Sequence, residues 1–266
     1  MPGVTVITLN LASEYWQGML LMGTAPIVLP SLLANTMVKL SQPYKIYDLS
    51  PRKNQWLEEL ASLPGYLAGH GLGIYLPLVA GIGHLTTNAS LLEHFWSFLV
   101  VFCWNEIQYF FTHYAYHKVK WLWWIHKTHH RVVISTGYSA WLSSFAETFI
   151  FAMLLTSGYL LLSNAIFLSW QGFVVNYLFY FCVNVNSHNN VETVSPIFRK
   201  RLGWFASNTI TTHALHHARS DANFGLLLPL LDQLFRTRSL DREQVYQAVI
   251  QGRSLKTLTQ RLRSTD

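Results

Sequence analysis

The chain has 266 residues, of which 51% are hydrophobic and only 12% are charged, about half the charged share of a typical soluble domain. Its net charge of +6 comes from basic residues confined to particular loops, a distribution that suits anionic lipid headgroups better than nucleic acid. Both cysteines lie in apolar stretches, so the sequence predicts neither a disulfide framework nor a cysteine-based metal site. These properties indicate a single-domain membrane protein.

Five apolar stretches are long enough to cross a hydrocarbon layer of about 30 Å. They cover approximately residues 16–38, 65–85, 91–112, 144–162 and 165–183. We expect residues 1–89 to form an additional membrane anchor and residues 239–266 to form a C-terminal amphipathic helix. The predicted fold class is therefore all-α: a polytopic membrane helical bundle with a cytosolic helical cap.

A shorter amphipathic segment lies between the first two apolar stretches. Residues 52–63 place four apolar side chains on one helix face: Trp56, Leu57, Leu60 and Leu63. Such a face is typical of a helix that lies in the membrane interface.

The basic residues predict the orientation of these spans. All nineteen Lys and Arg fall within residues 39–64, 113–143 and 184–266. Because basic loops remain in the cytoplasm, we expect an external N-terminus and a multi-pass protein with these three segments on the cytoplasmic side.

Nine of the twelve histidines form a repeated pattern on that same side. They occur as one H-x3-H pair, two H-x2-H-H groups and one histidine between them: His113, His117, His126, His129, His130, His188, His213, His216 and His217. Helix positions i, i+3 and i+4 share a face, and imidazole is the commonest metal ligand in proteins. Nine ligands are too many for one ion and about right for two, so the pattern predicts a dinuclear metal site. We expect His70, His84 and His94, which stand alone, to be ordinary core or interfacial residues.

Several carboxylates accompany the histidines. Glu106 lies seven and eleven residues before the first pair, on the same helix face, and we expect it to accept the second N–H of a ligand imidazole. The alternative for Glu106 is a snorkelling side chain or one that makes a helix–helix hydrogen bond, and the same alternatives apply to Glu147. Asp221 and Asp232 flank the last group and are expected either to accept hydrogen bonds from ligands or to cap helices.

A ligand set made only of imidazoles carries no charge, so two divalent ions would keep a large positive charge and could bind oxygen or hydroxide. Zinc would support hydrolysis, but the sequence has no clear nucleophile motif and no H-E-x-x-H. Redox-active iron beside a membrane suits O2-dependent attack on a lipid C–H bond. A His-rich metal transporter or metal-binding (metal-sensing) membrane protein is the competing class. A transporter would place its ligands near the bilayer midplane, whereas these collect at one face.

The ordered motifs resemble those of the fatty acid hydroxylase / sterol desaturase superfamily of membrane-bound di-iron oxygenases. The resemblance covers about residues 90–238 and rests on the histidine groups, on the two asparagines after His188, and on N-F-G at 223–225 and D-Q-L-F-R-T at 232–237. It implies that the nine histidines bind two iron ions, which zinc can replace on purification, with O2 as co-substrate. It implies no catalytic residue beyond the metal centre.

The resemblance also implies partners and substrates. Electrons would come from an external donor such as a cytochrome b5 or a ferredoxin, and the substrate would be a fatty acyl chain, a sterol or a related apolar molecule. Hydroxylation is the first expectation and desaturation remains open. The membrane would be a bacterial inner membrane or the endoplasmic reticulum. Asn184, where some relatives carry His or Gln, and Asn223 are further candidates for supporting the ligands.

Overall fold

The computed structural model describes residue 36 and residues 44–202 and 208–262. Its helices are α1 Gln55–Val79, α2 Leu91–Lys118, α3 Lys120–His126, α4 Phe145–Leu162, α5 Trp170–Ser187, α6 Pro196–Leu202, α7 Ile210–Arg219, α8 Leu230–Leu234 and α9 Arg242–Ile250. Short 3-10 turns cover His129–Arg131 and Ser139–Trp141. The described ranges contain isolated β-bridges but no strand, so the all-α prediction is confirmed for this part of the chain.

Among the described helices, α4 alone is long and apolar enough to cross a membrane, judged by length and composition. Three other predicted spans coincide with the long helices α1, α2 and α5, which do not meet that criterion. The first predicted span, at about residues 16–38, lies outside the described residues apart from Thr36.

The predicted interface helix and the second predicted span form one helix, α1, which continues through Pro64 and Pro77. The face that carries Trp56, Leu57 and Leu60 is exposed, with 59%, 46% and 56% of each residue accessible. The opposite face buries Gln55 and Glu59. The first turns of this helix therefore face their apolar side outward and their polar side toward the rest of the chain, whereas its later turns bury Tyr66 and Ile74.

Glycines on α1 let it approach α4 closely. A Cβ added at Gly69 would lie 2.6 Å from the carbonyl oxygen of Phe145, and one added at Gly73 would lie 2.6 Å from that of Phe149. Because no side chain fits at these distances, the two helices pack with their backbones in contact. This packing sets one wall of the bundle.

Hydroxyl caps define where two of the histidine-bearing helices, α2 and α7, begin. Ser90 opens α2 with a capping box, in which its side chain accepts the Glu93 N–H and the Glu93 carboxylate accepts the Ser90 N–H. Thr209 caps α7 in the same way with Thr212. Caps of this kind satisfy backbone N–H groups that have no partner within the helix. They fix the residue at which each helix starts, and hence the direction in which its histidines point.

Three buried hydrophobic clusters stabilise the described chain, and the smallest joins Tyr66, Ala140, Trp141, Phe181 and Val185. Residues of α1, α2, α4 and α5 form the bundle core: Ile74, Val101, Ala152, Leu155, Tyr159 and Phe173. The cap core joins the segment before α1 to α7, α9 and the C-terminal segment through Ile46, Tyr47, Ile210, Leu215, Val245, Val249 and Leu255. The C-terminal helix is shorter than predicted and covers only Arg242–Ile250. It ends because Gly252 adopts a left-handed conformation, with φ 76°, and the Arg253 N–H bonds back to the Ala248 carbonyl.

Candidate metal centre

The nine predicted histidines come together in two adjacent clusters. The first holds five, His113, His117, His126, His130 and His216, and the second holds four, His129, His188, His213 and His217. Within each cluster, one ring nitrogen from every member lies within 4.8 Å of the others. The two H-x2-H-H groups contribute to both clusters, so each cluster joins elements that are distant in sequence.

Backbone carbonyls hold the outward Nδ1 atoms of five of these rings. The contacts are His113 to Phe224 O at 2.7 Å, His216 to Ala222 O at 2.7 Å, His188 to Asn184 O at 2.6 Å, His129 to Leu142 O at 3.2 Å and His217 to Val132 O at 3.2 Å. A carbonyl oxygen can only accept a hydrogen bond, so each of these Nδ1 atoms carries the proton. The Nε2 atom of each ring therefore presents a lone pair toward the centre of its cluster.

The inward Nε2 atoms lie too close together for neutral rings without a cation. Nε2 of His188 is 3.0 Å from Nε2 of His129, and both rings carry their proton on Nδ1. Nε2 of His113 is buried without a partner. Two nitrogens bound to one ion at about 2.1 Å and at right angles would lie about 3.0 Å apart. The donor set therefore fits metal ions coordinated by Nε2.

Burial keeps these imidazoles neutral. It lowers the pKa of His126 and of His216 to about 3 and that of His129 to about 4, from an ordinary value of 6.5. A protonated imidazole cannot bind a metal ion, and a buried one is disfavoured because its charge loses hydration. The clusters therefore enter any metal-binding equilibrium with their lone pairs free at neutral pH.

A cavity of about 100 Å³ reaches both clusters from inside the helical bundle. His113 and His126 of the first cluster and His129 of the second form one end of it. Most of its remaining wall comes from α1, α2, α4 and α5. That wall is mainly aromatic or aliphatic, including Tyr66, Tyr109, Phe151, Leu155, Tyr177 and Phe181. The space suits a narrow apolar segment of a ligand.

The fatty acid hydroxylase family model matches residues 98–237, which is more than half of the chain and includes all nine histidines. The chain belongs to the fatty acid hydroxylase family. Comparisons with curated proteins and with solved structures each gave no significant match. The family match confirms the resemblance drawn from the histidine motifs.

Glu147, and not Glu106, accepts the second N–H of a histidine in the clusters. The Glu147 carboxylate accepts the Nδ1–H of His126 at 2.8 Å. Glu106 instead accepts the Leu228 N–H at 2.7 Å and the Tyr180 hydroxyl. At about 1.5 Å per residue, seven residues place Glu106 about 10 Å from His113 along α2, beyond the reach of its side chain. Glu106 therefore tethers two elements to α2: α5 through Tyr180, and the segment before α8 through Leu228.

Two other candidates, Asn223 and Asp232, shape the backbone turn around residue 223. Asn223 adopts a left-handed conformation, with φ 62°, and the carbonyls on either side of it, those of Ala222 and Phe224, accept from two imidazoles. Asp232 is fully buried and accepts the N–H groups of Phe224 and Gly225 at 2.8 and 2.7 Å. Burial raises the pKa of Asp232, and the hydrogen bonds it accepts oppose that shift. Together these residues fix the turn that holds His113 and His216.

The remaining candidates lie in different surroundings. Asn184 contributes its carbonyl to His188, one turn later on α5. Asp221 is exposed and lies 3.8 Å from Arg261, so it belongs to the protein surface. His94 bonds Ser169 through Nδ1 at 3.0 Å, which agrees with the ordinary structural role expected of it. His70, for which the same role was expected, lies in the cavity wall.

Sequence analysis did not anticipate Glu59, which is 1% exposed. Its carboxylate accepts hydrogen bonds from Gln55 at 3.0 Å, Ser139 at 2.7 Å and Thr136 at 3.1 Å. These bonds attach α1 to the loop at 132–142, whose first and last carbonyls hold His217 and His129. No motif marks Glu59 in the sequence, because its partners in that loop lie about 80 residues further along.

Proposed function

We propose that this chain is a membrane-bound, O2-dependent di-iron oxygenase that hydroxylates a C–H bond of a lipid-like substrate. One observation carries the proposal: a single apolar cavity is lined by members of both histidine clusters. Iron held by the two clusters would supply the O2 activation that breaking an unreactive C–H bond requires. The family supports the oxidoreductase class.

The protein's own residues have three tasks in this reaction. The five-histidine and four-histidine clusters would hold one ion each, and the backbone carbonyls and Glu147 keep the rings in the tautomer that binds metal. The aromatic wall excludes water and holds the apolar segment next to His113, His126 and His129. Electrons would come from an external donor.

Exposed apolar side chains support a membrane location. Besides α4, the start of α2 exposes Leu91, Leu92, Phe95 and Trp96, each accessible over half or more of its surface. The apolar outer face of α1 and the segregation of Lys and Arg are consistent with a multi-pass protein whose metal centre faces the cytoplasm. The competing metal transporter would have little use for an apolar cavity beside its ligands.

Metal analysis with Mössbauer spectroscopy tests the proposal. Detergent-purified protein from cells grown on iron-57 should contain two irons per chain, with signals that change on reduction and on exposure to O2. His129→Ala should lose metal and activity, whereas His84→Ala should lose neither. Full activity in His129→Ala would overturn the dinuclear assignment.

Product analysis then separates the two oxidative outcomes. A lipid screen with the iron-loaded protein, O2 and an added electron donor should yield an alcohol that carries one oxygen atom from O2, the other leaving as water. An alkene without added oxygen would identify a desaturase. Protein that binds only zinc, and stays inactive after iron reconstitution, would contradict the oxygenase.

A further inference from the structure

Apart from His113 and from Glu147, which bonds His126, two residues of the cavity wall carry a buried polar atom without a hydrogen-bond partner. Asn105 on α2 is 1% exposed, and its Oδ1 atom is buried without a hydrogen-bond partner. The Nδ1 atom of His70 on α1 is also buried and has no partner with hydrogen-bond geometry, although the Tyr66 carbonyl lies near the ring. Both residues line the cavity. Buried polar atoms are costly to leave unpaired, which points to a ligand that pairs them.

The position of Asn105 gives a distance to the metal centre. Asn105, Tyr109 and His113 follow one another at intervals of four residues, so they share one face of α2. Eight residues of helix correspond to about 12 Å along the axis. A ligand group that pairs with Asn105 would therefore lie about 12 Å from the level of His113. His70 faces the same cavity from α1 and packs edge-on against Tyr177, with ring centroids 6.2 Å apart.

The charged residues around the cavity favour a neutral ligand group at Asn105 and His70. Among the described residues that line it, none is Lys or Arg. Glu147 also lines the cavity, and one of its carboxylate oxygens already accepts the Nδ1–H of His126. At the Asn105 end, about 12 Å from the level of His113, a ligand carboxylate would lose its hydration and meet no Lys or Arg, which is strongly unfavourable. A hydroxyl group is neutral and can both donate and accept a hydrogen bond.

We propose that Asn105 and His70 form a subsite for a neutral hydroxyl group of the substrate. The hydroxyl donates to Asn105 Oδ1 and accepts from His70 Nδ1–H, while the apolar part of the molecule extends toward the histidine clusters. This inference rests on the proposed function and specifies its substrate class: a lipid alcohol rather than a free fatty acid.

Binding without turnover tests the subsite. The metal-loaded protein is placed in phosphatidylcholine nanodiscs, and saturable binding is measured for radiolabelled 1-dodecanol, dodecane and dodecanoate. We expect dodecanol to bind about tenfold more tightly than either of the others. Equal affinity for dodecanol and dodecane, or tighter binding of dodecanoate, would overturn the proposal.

Variants locate the effect within the cavity. Asn105→Leu keeps the approximate volume of the side chain and should weaken dodecanol binding about tenfold while leaving dodecane binding unchanged. His70→Phe keeps a ring against Tyr177 and should also weaken dodecanol binding. Asn176→Leu is the matched control, because Asn176 is a buried asparagine with an unpaired Oδ1 that does not line the cavity. Dodecanol binding that is unchanged in both cavity variants would refute the subsite.

The readout separates this inference from the proposed function. Metal content and product analysis test the oxygenase, whereas the binding preference requires no reaction. Two irons per chain with no preference for dodecanol would leave the oxygenase in place and remove the subsite. A clear preference for dodecanol in a protein that cannot oxidise lipids would keep the subsite and remove the oxygenase.

Discussion

The outward nitrogen of each imidazole determines whether its inward nitrogen can bind a metal ion. Five of the nine rings have that outward nitrogen on a backbone carbonyl, whereas His126 has a carboxylate partner, Glu147. A carboxylate raises the basicity of the ring more than a carbonyl does, because it carries a full negative charge. His126 is therefore the ligand whose affinity depends most on one side chain.

Glu147→Gln and Glu106→Gln make a matched pair of variants at the residue scale. We expect Glu147→Gln to lower metal affinity about 10- to 100-fold, the usual effect of removing a partner of a metal ligand. Glu106→Gln should leave metal affinity unchanged, because Glu106 bonds Leu228 and Tyr180. Chelator competition measures both. Equal losses in the two variants would contradict the roles assigned here.

At the scale of elements, α1 supports the metal centre without contributing a ligand. Gln55 and Glu59 bond the loop at 132–142, and Ser62 donates to the Trp141 carbonyl at 2.9 Å. That loop carries the carbonyls that orient His129 and His217, both in the four-histidine cluster. Loosening α1 from the loop should therefore affect one cluster more than the other.

Glu59→Ala tests this connection. Removal of the carboxylate leaves Ser139 and Thr136 without their buried acceptor, which should lower the free energy of unfolding by about 2–3 kcal/mol. The metal content should fall from two ions toward one per chain. Denaturant unfolding and metal analysis in detergent measure the two effects.

Glu58→Ala is the neighbouring control. Glu58 pairs with Arg52 and Arg131 at the surface, and exposed ion pairs contribute about 0–1 kcal/mol. Its metal content should stay at two ions. If Glu58→Ala lowered stability and metal content as much as Glu59→Ala does, the loss would come from removing any negative charge on α1 and not from the buried bonds of Glu59.

At the scale of the whole molecule, folding brings nine imidazoles into a shared interior. Burial lowers the pKa of His126, His129 and His216 to between about 3 and 4, whereas an unfolded histidine titrates near 6.5. Between these values the unfolded chain binds protons that the folded chain does not. The free energy of unfolding therefore falls as the pH drops below 6.5.

Thermal unfolding of chelator-treated protein tests this linkage. The midpoint temperature should be nearly constant above about pH 7 and should fall steeply between about pH 6.5 and 4. A variant that replaces His129 and His216 with Leu should have a shallower dependence, because it has fewer buried rings to protonate. A midpoint that does not change over this interval would contradict the burial of neutral imidazoles.

The sequence by itself identified the nine candidate ligands and the all-helical character of the described chain. Histidine spacing is local information, since i, i+3 and i+4 positions share a helix face whatever the rest of the fold does. The nine ligand candidates could therefore be identified from their spacing along the chain, and the family from the order of their motifs. The apolar content likewise predicted the long helices α2, α4 and α5.

The tertiary structure alone decided how those ligands divide and what holds them. The partition into five and four, the use of Glu147 rather than Glu106, and the attachment of Glu59 to the loop at 132–142 all depend on contacts between distant segments. Most imidazole partners are backbone carbonyls, which every residue possesses, so no residue type marks them in the sequence. His70 looked ordinary for a related reason: a lone polar residue acquires a role only when folding places it in the wall of a cavity.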